Sequence, residues 1–280
     1  MEAKVDTGPA PRMVRTQHLR QRGVTHRQIA AAVADGRLIR LRRGVFGATD
    51  LSTDCVDAAR CLGRLTCVSE LQRRKVFVLH RPDRLHLHVA PSSSRLPVGV
   101  KNHRVHRDEL RRTPVPDSLS VEFFDALVHA VCCQEPRAAI ASMDSALHHG
   151  LLRTDELDEL FAALPRRFRR LRRLLDGRAE SGPETLLRLI LRSIGCAFDV
   201  QVRIRRVGPV DFLVDGWLII ECDSEEFHSS WADQRRDRRR DLAAAAQGYA
   251  TFRPIAEDIM WHPDEVRAAV LGLLALRRSR

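Results

Sequence analysis

The chain has 280 residues and carries 47 Lys and Arg against 36 Asp and Glu, a formal net charge of +11 with a pI near 10.3. At about 150 residues per domain this length suits two domains or three small ones, and 44% hydrophobic content is ample for buried cores, which excludes a wholly disordered chain. No uncharged apolar run approaches the ~18 residues of a membrane helix, and the N-terminal stretch lacks the apolar core of a secretory signal. The composition therefore predicts a soluble, cytoplasmic protein with no membrane partner.

Lysine stands only at Lys4, Lys75 and Lys101, so the basic side is otherwise arginine. A positive excess favours a polyanion partner, with nucleic acid the default. The seven cysteines, at positions 55, 61, 67, 132, 133, 196 and 222, show no CxxC pair and no metal-ligand spacing. They read as reduced thiols of a cytosolic chain.

Three segments emerge from the pattern: 1–50, 51–178 and 179–280. In the first, Thr16 to Arg22 reads as a short polar helix stopped by Gly23. Thr25 caps a second helix to Ala34, with Gly36 as its C′ glycine. Leu38 to Phe46 reads as a basic β-ribbon turning at Arg43-Gly44. Helix, turn, helix and ribbon outline a winged helix-turn-helix. Arg27 and Gln28 would then face base edges from the second helix, while Arg40, Arg42 and Arg43 contact phosphates from the wing.

The second segment is expected to be mixed α/β. Leu85 to Ala90 and Val100 to His106 read as paired strands, and Ser120 to Cys133, Pro136 to His149 and Thr154 to Leu164 as helices. His86, His88, His103 and His106 lie on those strands, but no Cys or acid stands nearby at ligand spacing, so they read as structural or surface histidines. The arginine run 166–173 reads as a solvated helical linker or a phosphate-tracking stretch.

The third segment reads α-β-β-β-α-β-α. Ser181-Gly182-Pro183-Glu184 is a capping box opening an apolar helix ended by Gly195. Strands follow over Asp199 to Arg203, Val210 to Val214 and Trp217 to Asp223. An arginine-rich helix (Ser230 to Gln247), a strand (Tyr249 to Arg253) and a last helix from Pro263 complete it. A two-residue loop at Asp215-Gly216 would set Asp211 opposite Ile220. A three-residue loop instead pairs Val214 with Leu218 and Phe212 with Ile220, gathers the apolar residues coherently and sets Asp211 against Glu221. Two facing carboxylates repel unless a cation lies between them. Asp223 follows on the same strand face and His228 five residues later, with Glu184 available from the preceding helix. Oxygen ligands at Asp211 and Glu221 favour Mg2+ or Mn2+, and carboxylate-held Mg2+ beside a basic surface suits phosphodiester hydrolysis. His228 is the candidate general base or acid.

Glu184, Val210-Asp211-Phe212, Glu221-Cys222-Asp223, His228 and Asp237-Arg238-Arg239-Arg240-Asp241 together resemble the PD-(D/E)xK nuclease superfamily, and within it the very-short-patch-repair-like endonucleases. The resemblance spans about residues 180 to 270. It implies a restriction-endonuclease-like α/β fold with a central mixed sheet, Asp211 and Glu221 as metal ligands, Glu184 as accessory acid, and Asp223 and His228 completing the catalytic set. Arg236 and Arg240 of the arginine-rich helix would contact DNA. Residues 12 to 175 are similar to the antitoxin family of type IV toxin–antitoxin systems, which implies a cognate toxin as a further partner. The chain departs from the nuclease pattern twice. No lysine follows Lys101, and arginine cannot replace it as a base because it stays protonated. Ser224 stands where the family has glycine. The expected function is a Mg2+-dependent DNA endonuclease. The alternative is a non-catalytic transcriptional regulator or antitoxin with a degenerate nuclease fold, and an RNA-directed nuclease is a third reading.

Overall fold

The computed structural model describes residues 11–93, 103–223 and 231–278. The protein is mixed α/β and divides into two compact units. Among the described residues, 11–135 and 155–166 form the N-terminal unit, and 136–154 and 167–278 the C-terminal unit. No helix among them is long and apolar enough to cross a membrane.

The N-terminal unit opens with β1 (Met13–Arg15), α1 (Thr16–Gln21) and α2 (His26–Ala34). Thr25 forms the expected cap, and the cap is reciprocal. Its hydroxyl accepts the Gln28 backbone N–H, while the Gln28 side chain accepts the Thr25 N–H at 2.8 Å. The ribbon is β2 (Ile39–Arg42) and β3 (Val45–Gly47), turning at Arg43-Gly44 as expected, with Gly44 in the left-handed region at φ 73°. β1 adds to its edge, giving an antiparallel sheet of order β1-β3-β2 that the ribbon pattern alone does not reveal.

Next come α3 (Thr53–Arg60), β4 (Arg64–Leu65), α4 (Cys67–Arg73), β5 (His86–His88), β6 (Arg104–His106) and α5 (Phe123–Cys133). β5 lies between β4, antiparallel, and β6, parallel. One apolar core runs through Met13, Leu41, Val45, Ala58, Leu65 and Leu87, so the sheet of the first fifty residues shares its interior with α3, β4 and β5.

The C-terminal unit begins with α6 (Pro136–His148). After the short α7 (Leu157–Ala163) of the N-terminal unit, the arginine run forms a 3-10 helix over Arg166–Leu174, with Phe168 and Leu171 buried. The rest is α8 (Gly182–Ile194), β7 (Phe198–Ile204), β8 (Gly208–Val214), β9 (Leu218–Ile220), α9 (Trp231–Ala245), β10 (Ala250–Phe252), α10 (Ala256–Trp261) and α11 (Pro263–Arg278). The sheet order is β10-β9-β8-β7, antiparallel except for the parallel β10–β9 pair. α8 buries Leu186, Leu187, Ile190 and Leu191, two i,i+4 pairs on one stripe. Each such side chain contributes roughly 1.5–3 kcal/mol of burial.

α8 is tied to α6 by charge. The Arg188 guanidinium donates to Asp144, and both side chains are almost wholly buried. Asp144 also accepts from the Thr185 hydroxyl at 3.1 Å and the Asp176 backbone N–H at 2.8 Å. Burial still pushes Asp144 up to about 6 despite Arg188 and these donors. The expected boundary near residue 178 thus falls between segments that share a buried ion pair. Asp144→Ala strands a buried guanidinium that cannot shed its proton, and should cost about 3–5 kcal/mol of stability. Urea unfolding of the full chain measures this, and a loss below about 1 kcal/mol would show that the pair does not anchor the unit.

Candidate functional site

The β8–β9 connection is the three-residue loop, with Asp215 at φ 48° and Gly216 at φ 72°. Val214 pairs with Leu218 and Phe212 with Ile220, so the next position sets Asp211 opposite Glu221. Beyond β9 the chain stays alongside the segment after β10: Glu221 N–H donates to the Phe252 carbonyl and Asp223 N–H to the Pro254 carbonyl. Glu221 and Asp223 therefore keep strand alternation on one face, with Asp223 exposed.

Glu184 sits at the start of α8, 7% exposed. It does more than cap. Its carboxylate accepts from the Glu180 N–H (2.9 Å), the Ser181 hydroxyl (2.8 Å) and the Gln201 amide (3.1 Å). Gln201 belongs to β7 at the register position across from Asp211, and has φ 52°. Left-handed backbone at a non-glycine residue inside a strand is strained. Gln201 is a member of the site that sequence reasoning missed, and no motif signals it.

Burial, and then the Asp211 charge, push Glu184 up to about 7. Burial pushes Asp211 up to about 6, with the Glu221 and Glu180 carboxylates adding to the rise. The Cys222 N–H, 2.8 Å from its Oδ2, and Arg240 work against it. The Cys222 thiol is raised by burial and by the Glu184, Asp211 and Asp223 carboxylates. Glu221 is differently placed. One oxygen meets Arg240 at 2.5 Å and the other Arg253 at 2.6 Å, and Arg253 also holds Asp241 at 2.8 Å.

Arg240 is committed further, donating to the carbonyls of Val207 (3.0 Å) and Pro209 (2.6 Å). It also lines a surface depression of about 370 Å³ with Arg206, Arg235, Arg236 and Arg239. Of the residues expected to touch DNA from the N-terminal unit, Arg27, Arg40 and Arg43 are exposed. Gln28 is exposed but engaged in the α2 cap. Arg42 is turned inward, its guanidinium donating to the Ala59 carbonyl and approaching the Met13 sulfur, so it ties β2 to α3. His228 and Ser224 lie outside the described residues.

A second convergence lies in the N-terminal unit, where Cys67, His86, His106 and Cys133 bring their ligand atoms within 4.8 Å of one another. The strand histidines, expected to be structural or surface residues because no cysteine stands at ligand spacing, thus have two cysteines beside them in space. The separations of 18, 19 and 26 intervening residues match no familiar ligand spacing, because each ligand comes from a different element. Compared with known proteins, the chain matches no family model and no curated protein.

The raised carboxyls set a pH dependence. The folded state binds the Glu184 proton more tightly than the unfolded chain does, so this stabilisation is complete below the unfolded value near 4.5 and is lost as pH rises through about 7. The loss is roughly 3 kcal/mol by the linkage of pKa to free energy. Glu184→Gln should flatten it in urea unfolding between about pH 5 and 8. An unaltered slope would assign the dependence to other groups.

Proposed function

We propose that the chain is a DNA-binding protein whose C-terminal unit hydrolyses phosphodiester bonds with a divalent cation. The observation that carries this reading is a juxtaposition: Arg240 both lines the arginine depression and ion-pairs Glu221 at the rim of the carboxylate cluster. A polyanion seated in the depression would lie beside the acids. The helix–three strands–helix–strand order of the unit and the Asp211–Glu221 register agree with the resemblance to PD-(D/E)xK nucleases. The order α1, α2 and an antiparallel β1-β3-β2 sheet agrees with a winged helix-turn-helix in the N-terminal unit. The similarity to antitoxins makes a cognate toxin the proposed protein partner.

The donor set fits a hard cation in part. Glu184 and Asp211 offer oxygen donors whose burial, with the Asp211 charge acting on Glu184, raises their proton affinity, a cost that a divalent ion would relieve. Glu221 is already balanced by two guanidiniums, so its service as a ligand requires Arg240 or Arg253 to let go. A bound Mg2+ or Mn2+ supplies charge neutralisation and a more acidic attacking water. The chain's own contribution is to hold phosphate oxygens with the exposed Arg235 and Arg239, one turn apart on α9, and to orient Glu184 through Gln201 and Ser181. The guanidinium clamp on Glu221 favours the second reading, a DNA-binding regulator whose nuclease-like site no longer turns over.

Supercoiled plasmid with Mg2+ or Mn2+, and EDTA as control, separates the two. Wild type should nick, and Asp211→Asn should lose activity by orders of magnitude while staying folded and bound to DNA. Equal residual nicking by both would retire catalysis and leave the regulator. Replacing Arg235 and Arg239 with Ala should flatten the salt dependence of DNA affinity by about one unit of slope per lost phosphate contact. An unchanged slope would remove the depression from the DNA path.

A further inference from the structure

We propose that Cys67, His86, His106 and Cys133 form a closed, four-ligand zinc site that joins α4, β5, β6 and α5. The site is independent of the nuclease reading, since all four residues belong to the N-terminal unit.

The geometry is close to the one zinc imposes. With Zn–S near 2.3 Å and Zn–N near 2.0–2.1 Å, the edges of a tetrahedron span roughly 3.3–3.8 Å. The four ligand atoms lie within 4.8 Å of one another, and His86 Nδ1 stands 3.2 Å from His106 Nε2, the length of a nitrogen–nitrogen edge. A donor set of two sulfurs and two imidazole nitrogens selects zinc over the hard cations that carboxylates bind. Both cysteines bind as thiolates, each giving its proton to solvent.

The surroundings hold the ligands in place. Thr66, directly before Cys67, donates its N–H to the His86 carbonyl, and the His86 N–H donates to the Ser69 hydroxyl at 3.0 Å, so the start of α4 and the start of β5 are locked together. Cys67 has φ 56°, left-handed backbone at a residue type that rarely adopts it. Behind His106 stands an outer layer. The His129 ring stacks on it at 4.7 Å between centroids, the Thr66 hydroxyl lies 2.7 Å from His129 Nδ1, and Asp108 is within 3.8 Å of His129. Packing against His129, itself held by Thr66 and Asp108, restricts the orientation of the His106 ring. Four ligands leave no open position, so the site is structural. It also answers a need of the fold, because β4, β5 and β6 are two or three residues long and give little cross-strand pairing by themselves.

The test starts from the full chain purified in reductant without chelator. Metal analysis should find one zinc per chain, and cobalt exchange should give the sulfur-to-cobalt charge-transfer absorption of two thiolates with the ligand-field bands of a tetrahedral ion. Cys133→Ser should remove about half of the thiolate absorption. His129→Ala, outside the ligand set, should lower zinc affinity roughly 10–100-fold without changing the stoichiometry. Asp211→Asn should keep its zinc, which separates this site from the carboxylates of the other unit. A wild-type chain with neither zinc nor cobalt–thiolate absorption would overturn the proposal, and that measurement needs no variant to fold. So would zinc retained by the Cys67→Ala/Cys133→Ala double variant, or a Cys67–Cys133 disulfide in protein alkylated at lysis.

Discussion

Charge withdrawn from water must be compensated, and that constraint organises the C-terminal unit. Asp144 has Arg188, and the pair fixes α6 against α8. Glu221 has Arg240 and Arg253, which bind α9 and the segment after β10 to the end of β9. Glu184 and Asp211 have hydrogen-bond donors but, among the described residues, no comparable ion pair, and burial raises their proton affinities. Two buried, unpaired carboxyls thus stand near each other among the described residues, where the start of α8 meets β7 and β8. An ordinary packed interior would exclude such a pair or neutralise it. Here one side of the cluster is clamped by arginines and the other is open to protonation or to a cation, an arrangement that a change of pH or ion occupancy can shift by a few kcal/mol.

Much of this was legible in the sequence where the signal is local. Thr25, Ser181 and Gly195 mark helix ends because caps satisfy backbone groups within one turn. The β8–β9 register was legible because only the three-residue loop lets the apolar residues of both strands share a face. Elements with weak periodicity were not. β1 is three residues long and exists because β3 offers an edge, while β4 and α4 are too short to show a pattern. The commitments of long side chains were illegible for a different reason. Nothing in Arg42 or Arg240 as letters distinguishes a phosphate contact from a donor to carbonyls at Ala59, Val207 and Pro209.

The histidine and cysteine cluster marks the limit more sharply. Metal motifs are read by spacing when two ligands share one turn or one loop. Cys67, His86, His106 and Cys133 share nothing but the place where two helix ends and two strand ends meet. Only tertiary structure brings them within a metal's reach, so local spacing leaves the cysteines as separate core thiols. Gln201 is the same lesson in the other unit. Its position across from Asp211 and its amide on Glu184 depend on β7 pairing, and its strained backbone is invisible to composition.

Arginine's geometry explains how one residue type serves both architecture and recognition in this chain. A planar, permanently charged fork can hold one carboxylate oxygen and two carbonyls at once, as Arg240 does, or present parallel donors to a phosphate. A chain so rich in arginine therefore has fewer free guanidiniums to offer a polyanion than its 47 Lys and Arg suggest. Arg188, Arg240 and Arg253 are balanced by acids within the C-terminal unit, and Arg42 is turned into the N-terminal one. On the proposed reading, the guanidiniums left for a polyanion include the exposed Arg235 and Arg239 in the depression, and Arg27, Arg40 and Arg43 of the N-terminal unit. Arg240 belongs to both groups. A phosphate competing with Glu221 for its guanidinium would loosen the clamp on that carboxylate, so occupancy of the depression and the charge state of the acid cluster are physically coupled through a single side chain.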